Sequence, residues 1–169
     1  MDNATRNTYV KQQLTTALLT LLTEQPLDQI SISTLTATAQ VGRVSFYRNF
    51  NDKEAILRAH IRQLFAEWTT AYDAEEEPHN DDTLIQALFN HLAEHKDFYQ
   101  LLERRHLLYL LKEILFEIVG PKPDYPNAGA YLAAFIAGGL FGWIEEWFAR
   151  GAQESATEMA AQLAALQTP

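Results

Sequence analysis

The 169-residue chain contains no cysteine. That excludes disulfides, cysteine-ligated zinc and thiol catalysis, and it fits a reducing compartment. Positive charge is also in short supply: 13 Lys and Arg stand against 22 Asp and Glu, a formal charge of -9. Strand signal is nearly missing. Ile30 to Leu35 alternates, but the run is short and sits just before a helix cap. The N-terminal MDNATRNTYVKQQL lacks a basic stretch followed by an apolar run, so it does not read as a secretory leader. There is no phosphate-binding glycine loop, nucleophile elbow or paired-carboxylate pattern. No catalytic residue and no cofactor are therefore expected, and the chain reads as a non-enzyme. There is no repeat and no low-complexity tract.

Charge of either sign is missing from Tyr125 to Ile144 (YPNAGAYLAAFIAGGLFGWI), about the length that spans a bilayer. Pro126 and Asn127 shorten its apolar part, and Glu145 and Glu146 follow at once. A buried helix of a helical core is the expectation, with no membrane partner and a cytoplasmic location.

What is present is helical pattern. The composition is 47% hydrophobic and 11% aromatic, too apolar for disorder and enough for a core in one domain or two small ones. Val10, Leu14, Ala17, Leu18, Leu21 and Leu22 recur at three- and four-residue spacing, so about 5–24 is an amphipathic helix that Pro26 ends. A short helix follows at about 33–39 with Ser33 as N-cap, then a tight turn at Gln40–Gly42 and a second short helix at 43–49. Asn51 or Asp52 caps a long helix over about 52–72. The acidic segment Asp73–Asp82 (DAEEEPHNDD) reads as a linker. Helices resume at about 83–95, 97–118, 127–150 and 153–166. The fold class expected is all-α: a three-helix N-terminal domain, 1–62, joined by a long helix to a C-terminal helical domain, 63–169.

Two short helices joined by a three-residue turn, behind a longer one, make a helix-turn-helix. On a helical wheel of 43–50, Phe46 and Phe50 share a face and should pack inward. Arg48 lies nearly opposite, flanked by Val44 and Ser45, with Arg43 and Tyr47 at the edges. That distribution suits a major groove, where Arg can bond guanine, Ser a base or phosphate, and Val a thymine methyl. Tyr47 and Ser33 suit phosphate oxygens. Lys53 is badly placed for the dipole of the helix it begins, which a nearby phosphate would explain. Ser33, Arg43, Val44, Ser45, Tyr47, Arg48 and Lys53 are thus the DNA-contact candidates. Charge agrees. Residues 1–62 hold seven basic and five acidic groups, and 63–169 hold six basic and seventeen acidic, so a polyanion is attracted only to the front.

Two clusters elsewhere carry less. His91 and His95 have metal-ligand spacing, but Leu-Ala-Glu lies between them and no third ligand is evident; a surface pair, with no metal, is expected. Arg104, Arg105 and His106 are the only basic cluster behind residue 63, with a solvated helix face as the default.

The segment ISISTLTATAQVGRVSFYRNFNDKEAIL, residues 30–57, resembles the DNA-binding region of the TetR/AcrR family of transcriptional repressors. The matching positions are Ile32, Leu35, Ala39, Val41, Ser45, Phe46, Tyr47, Phe50, Lys53 and Glu54. Residues 131–163 (YLAAFIAGGLFGWIEEWFARGAQESATEMAAQL) are similar to the C-terminal domain of Firmicutes-type TetR regulators. Two positions depart from the family pattern: Gln40 replaces the usual turn glycine, where a positive φ would strain it, and Gly42 replaces a serine at the start of the recognition helix.

The resemblance implies a homodimer through the last two long helices. Small residues such as Ala134 and Gly138 permit close approach, and Phe141, Ile144, Phe148, Met159 and Leu163 supply apolar area. A two-fold protein would match a palindromic double-stranded DNA operator. The resemblance also implies a pocket for a small-molecule effector, with Phe89, Phe98, Leu102, Tyr109, Phe116 and Phe135 as lining candidates for a largely apolar or aromatic ligand. The function expected is a dimeric, ligand-responsive transcriptional regulator, a repressor that leaves its operator when the effector binds. The alternative is a protein-interaction co-regulator with weakened DNA binding, suggested by Gln40, Gly42 and the acidity.

Overall fold

The computed structural model describes residues 3–74 and 81–167. Among them are nine α-helices and no strand. They are α1 Asn3–Glu24, α2 Ile32–Thr38, α3 Arg43–Asn49, α4 Lys53–Asp73, α5 Asp81–Glu94, α6 Lys96–Arg104, α7 Tyr109–Val119, α8 Asn127–Ala149 and α9 Ala156–Gln167, with a 3-10 turn at Leu27–Gln29. Most of the linker expected at 73–82 lies outside the described residues.

The helices pack as two compact units. One is the chain up to Gln63 together with Tyr109–Ile114; the other is Leu64–Leu108 with the chain from Leu115 onward. Helices α4 and α7 therefore each contribute to both.

In the first unit, α1 buries Val10, Leu14, Leu18 and Leu22 against α2 and α3. The cap of α2 is Ser31, not Ser33. Ser31 has extended backbone (φ -74, ψ 152), and its Oγ accepts the Thr34 N–H at 3.0 Å. Ser33 is the second residue of α2, exposed. Asp52 caps α4, its Oδ1 accepting the Ala55 N–H at 2.6 Å.

In the second unit, α5 runs along α9 and α6 packs on α8. Ser155 and Glu158 form a reciprocal cap at the start of α9: the Ser155 N–H donates to Glu158 Oε2 at 2.8 Å and the Glu158 N–H to Ser155 Oγ at 3.2 Å. The bond from the Ser155 backbone holds the Glu158 carboxyl below its ordinary pKa. From α6, Lys96 donates to the Ala152 carbonyl at 2.7 Å and Gln100 to that of Gly151 at 3.3 Å, satisfying acceptors just past the end of α8. Aromatic rings link the interior in sequence: Phe89 to Trp147, Trp147 to Phe148, Phe148 to Tyr99, with centroids 5.0 to 5.8 Å apart.

The single helix expected over 97–118 is two, α6 and α7. The chain breaks at His106, whose φ is 57. The Leu107 N–H bonds the Leu102 carbonyl at 2.8 Å and the His106 N–H that of Glu103 at 2.9 Å, which is the left-handed cap that normally calls for glycine.

Helix α8 also departs from expectation. It is not a fully buried helix: only 17% of its most apolar window is buried. One face is interior, carrying Ala137, Phe141, Ile144, Trp147 and Phe148. The other shows Tyr131, Leu132, Phe135 and Ile136 to solvent.

The His91–His95 pair is not a surface pair. His91 is 3% exposed, packed against Phe65 and Trp68 with ring centroids at 5.1 and 5.6 Å. Burial first, and His95 second, push its pKa from 6.5 down to about 4, against an opposing pull from Glu67. Between those values the unfolded chain holds a proton that the folded chain refuses. Stability from neutral His91 is therefore full above pH 6.5 and is lost as the pH falls toward 4. In urea titrations, wild type is expected to lose about 2 kcal/mol through this group between pH 7 and pH 5. A His91→Asn variant should show a flatter profile over the same interval.

Candidate nucleic-acid interface

The exposed surface of α3 is set by what the helix buries. Phe46 has no exposure and Phe50 has 7%. With that edge held against α1 and α2, Arg43, Val44, Tyr47 and Arg48 are left in solvent, Val44 at 72% exposure. Ser45 is half-buried, its carbonyl accepting a 2.8 Å bond from the Asn49 side chain. Tyr47 leans edge-on against Phe46, centroids 5.1 Å apart. Arg43 and Arg48 make no ion pair among the described residues.

The turn before α3 is a left-handed cap. Gln40 has φ 53. The Val41 N–H bonds the Thr36 carbonyl at 3.0 Å and the Gln40 N–H that of Ala37 at 3.1 Å. Gly42 is the N-cap of α3, with extended backbone and no side-chain bond, and its carbonyl accepts the Ser45 and Phe46 N–H groups. Both departures from the family pattern are thus accommodated, Gln40 at a backbone cost.

Lys53 has partners the sequence did not suggest. Its ammonium donates to the Leu27 and Ile30 carbonyls, the latter at 2.7 Å. This ties α4 to the 3-10 turn and accounts for a cation in the first turn of α4 without a phosphate. One of its three N–H groups is not used by these two bonds.

A second polar tie lies one turn along. Arg58 of α4 bonds Glu113 of α7 at 2.7 Å and Glu54 at 2.8 Å. The Glu113 bond is the main cause that raises the Arg58 pKa. Tyr109 also reaches Glu54; desolvation first, and that bond second, push its hydroxyl up to about 12.

The residues expected to line an effector pocket do not gather in one place. Phe89 and Leu102 are fully buried core, Phe98 and Phe116 are half-buried, and Phe135 is 78% exposed. Tyr109 belongs with the first unit beside Glu54. The second unit does hold a cavity of ≈ 400 Å³, lined by Leu64, Glu67, Trp68, Ala71, Tyr72, Ala87, Asn90, His91, Glu94 and His95. None of the six pocket candidates borders it. Trp68, Tyr72 and the two glutamates carried no signal beyond helix periodicity, so the sequence pointed elsewhere.

The expected dimer set needs a similar correction. Phe141, Ile144, Phe148 and Met159 are buried inside their own chain. Ala134, Gly138 and Leu163 remain partly accessible. Because α8 is apolar on both faces, its periodicity could not say which face turns inward.

Helix-turn-helix geometry with an exposed, unpaired basic face defines a DNA-binding regulator. The model of bacterial regulatory proteins of the tetR family matches residues 14–60, and that of a transcriptional regulator C-terminal region matches residues 80–168. The chain belongs to the TetR family of transcriptional regulators. A TetR transcriptional regulator from Streptococcus agalactiae superposes with a TM-score of 0.63 at 17% identity, covering 94% of this chain and 93% of that one. The fatty acid degradation regulator FadR from Bacillus halodurans gives 0.57, also at 17% identity, with 90% and 91% covered. At that identity the likeness is one of fold. No curated protein matches the sequence.

Replacing Gln40 by glycine should relieve the positive φ and raise the unfolding free energy by about 0.5–1 kcal/mol. Gln40→Val should lower it. Thermal melts of the two variants beside wild type check both signs.

Proposed function

We propose that the chain is a dimeric, ligand-responsive repressor with a Firmicutes-type C-terminal domain, whose first unit reads a palindromic operator. The observation that carries this is the α3 face. Two unpaired arginines stand beside an exposed valine and a tyrosine that leans on Phe46, on a helix whose opposite edge is anchored by buried phenylalanines. Arg43 and Arg48 supply bidentate donors for guanine, and Val44 suits a thymine methyl. Tyr47, Ser45 and Ser33 suit phosphates. Lys53 first holds the 3-10 turn and offers its remaining N–H to a phosphate.

Pairing through α8 explains the uncovered apolar face. Tyr131, Leu132, Phe135 and Ile136 are 51 to 78% exposed, and Gly138, Gly139 and Gly142 have open space where a Cβ would stand. A second copy can approach closely there, and a two-fold pair would present two reading helices to successive major grooves. The same helix is long and apolar enough to cross a membrane. Its interior face, however, is packed with Trp147, Phe148 and Ile144 against protein, which favours a partner helix over lipid.

An effector held by the second unit would favour a packing in which the two heads no longer fit the operator. Helices α4 and α7, tied by Arg58 to Glu54 and Glu113, are the elements through which this would act. The co-regulator alternative loses one of its motives, since Gln40 sits in a fully bonded turn.

A salt-series titration of the protein against its own promoter region, beside a scrambled duplex, tests the reading. A steep salt slope with strong promoter preference is expected; binding that ignores sequence sinks it. Arg48→Ala should weaken the preferred site by about 1–3 kcal/mol and relax preference at one base pair. Identical losses on every sequence would remove Arg48 as a base reader. Phe135→Arg should convert the dimer to monomer in sedimentation and abolish tight operator binding. A variant that remains dimeric would show that α8 is not the interface.

A further inference from the structure

The cavity of the second unit has a definite chemistry. Its walls combine the Trp68 and Tyr72 rings of α4 with His91 of α5, and its charged groups are the carboxylates Glu67 and Glu94. Among the described residues no lysine or arginine borders it. The Trp68 and His91 rings are stacked at 28° with centroids 5.6 Å apart, and Tyr72 follows Trp68 at 6.1 Å. At ≈ 400 Å³ the space lies within the range of small-molecule sites.

Three properties narrow the occupant. The carboxylates repel anions and attract cations. The aromatic faces add attraction for an ammonium or other diffuse positive charge, strongest at tryptophan. Burial lowers the pKa of His91 to about 4, so it sets no positive charge against a cation. A bare metal ion fits poorly, since no group of three or more His, Cys, Asp or Glu able to hold one occurs among the described residues. We infer that this α4–α5 cavity is a binding site for an organic cation with an apolar or aromatic body, held by Trp68 and Tyr72 on its faces and by Glu67 and Glu94 on its charge. The inference deepens the effector reading above and rests on it only for the regulatory consequence.

Isothermal titration of the full chain with tetraphenylphosphonium, beside tetraphenylborate of the same size and opposite charge, tests the assignment. The expected result is one cation per chain, with the anion at least ten-fold weaker. Glu67→Gln together with Glu94→Gln should weaken the cation at least ten-fold, and Trp68→Phe should weaken it several-fold, with unchanged melting curves showing that both variants fold. Equal affinity for the two ions would overturn the site, as would cation binding indifferent to both variants. Operator affinity measured in the same samples separates the two proposals. Cation binding lost in the variants but without effect on operator affinity keeps the site and removes this ligand class as effector. Absent cation binding removes the site, and an operator complex that still dissociates with another small molecule leaves the repressor reading intact.

Discussion

Phe46 has no exposed surface, and that burial decides what α3 offers to its surroundings. On a seven-residue helix, fixing one side chain under α1 and α2 fixes the azimuth of every other. Removing a buried phenylalanine ring typically costs about 3–5 kcal/mol, which is a large share of the stability of a small domain. The anchor is therefore stiff compared with the forces that two surface arginines exert on it. The face of Arg43, Val44, Tyr47 and Arg48 is preorganised by packing, and the entropy of orienting the helix is spent in folding rather than in recognition.

Around that anchor, polar ties fix what packing leaves free. Lys53 binds the carbonyls of Leu27 and Ile30, so the start of α4 cannot drift from the end of the preceding turn. Arg58 joins two carboxylates on different helices. These side chains are a quarter to nearly half exposed, so the pair adds little to global stability. Its value is positional: it keeps one turn of α7 registered on α4. The second unit depends instead on ring-on-ring contact from Phe89 through Trp147 and Phe148 to Tyr99. There the geometry is set by shape, and buried polar groups such as the Tyr99 hydroxyl, its pKa raised by desolvation, stay neutral.

Much of this was legible in the sequence, and the failures share physical causes. The spacing of Phe46 and Phe50 gave the buried edge of α3, and Pro26 and Asp52 gave helix limits, because those signals are local. The break between α6 and α7 was hidden because His106 adopts a left-handed cap usually filled by glycine, while apolar residues continue through it. Spacing points to Ser33 as the cap of α2, but the extended backbone at Ser31 makes Ser31 the cap. Which apolar face of α8 turns inward depends on partners distant in the chain, so periodicity alone could not show that Phe141, Ile144 and Phe148 are buried within their own chain. The acidic aromatic cavity was illegible for the same reason: Trp68 and His91 lie 23 positions apart, and only the packing of α4 against α5 makes them neighbours.

The uncovered face of α8 has a consequence for the cell. Under the proposed pairing, a chain that shows Tyr131, Leu132, Phe135 and Ile136 to water would gain stability when a second copy covered them, so its resistance to unfolding would rise with its own abundance. At low copy number the lone subunit would then present an apolar helix face to proteases and to other proteins. A burst of synthesis would pass through that vulnerable form before pairing. Turnover would then clear unpaired chains faster than paired ones, and the amount of active regulator would respond to gene expression more steeply than in simple proportion.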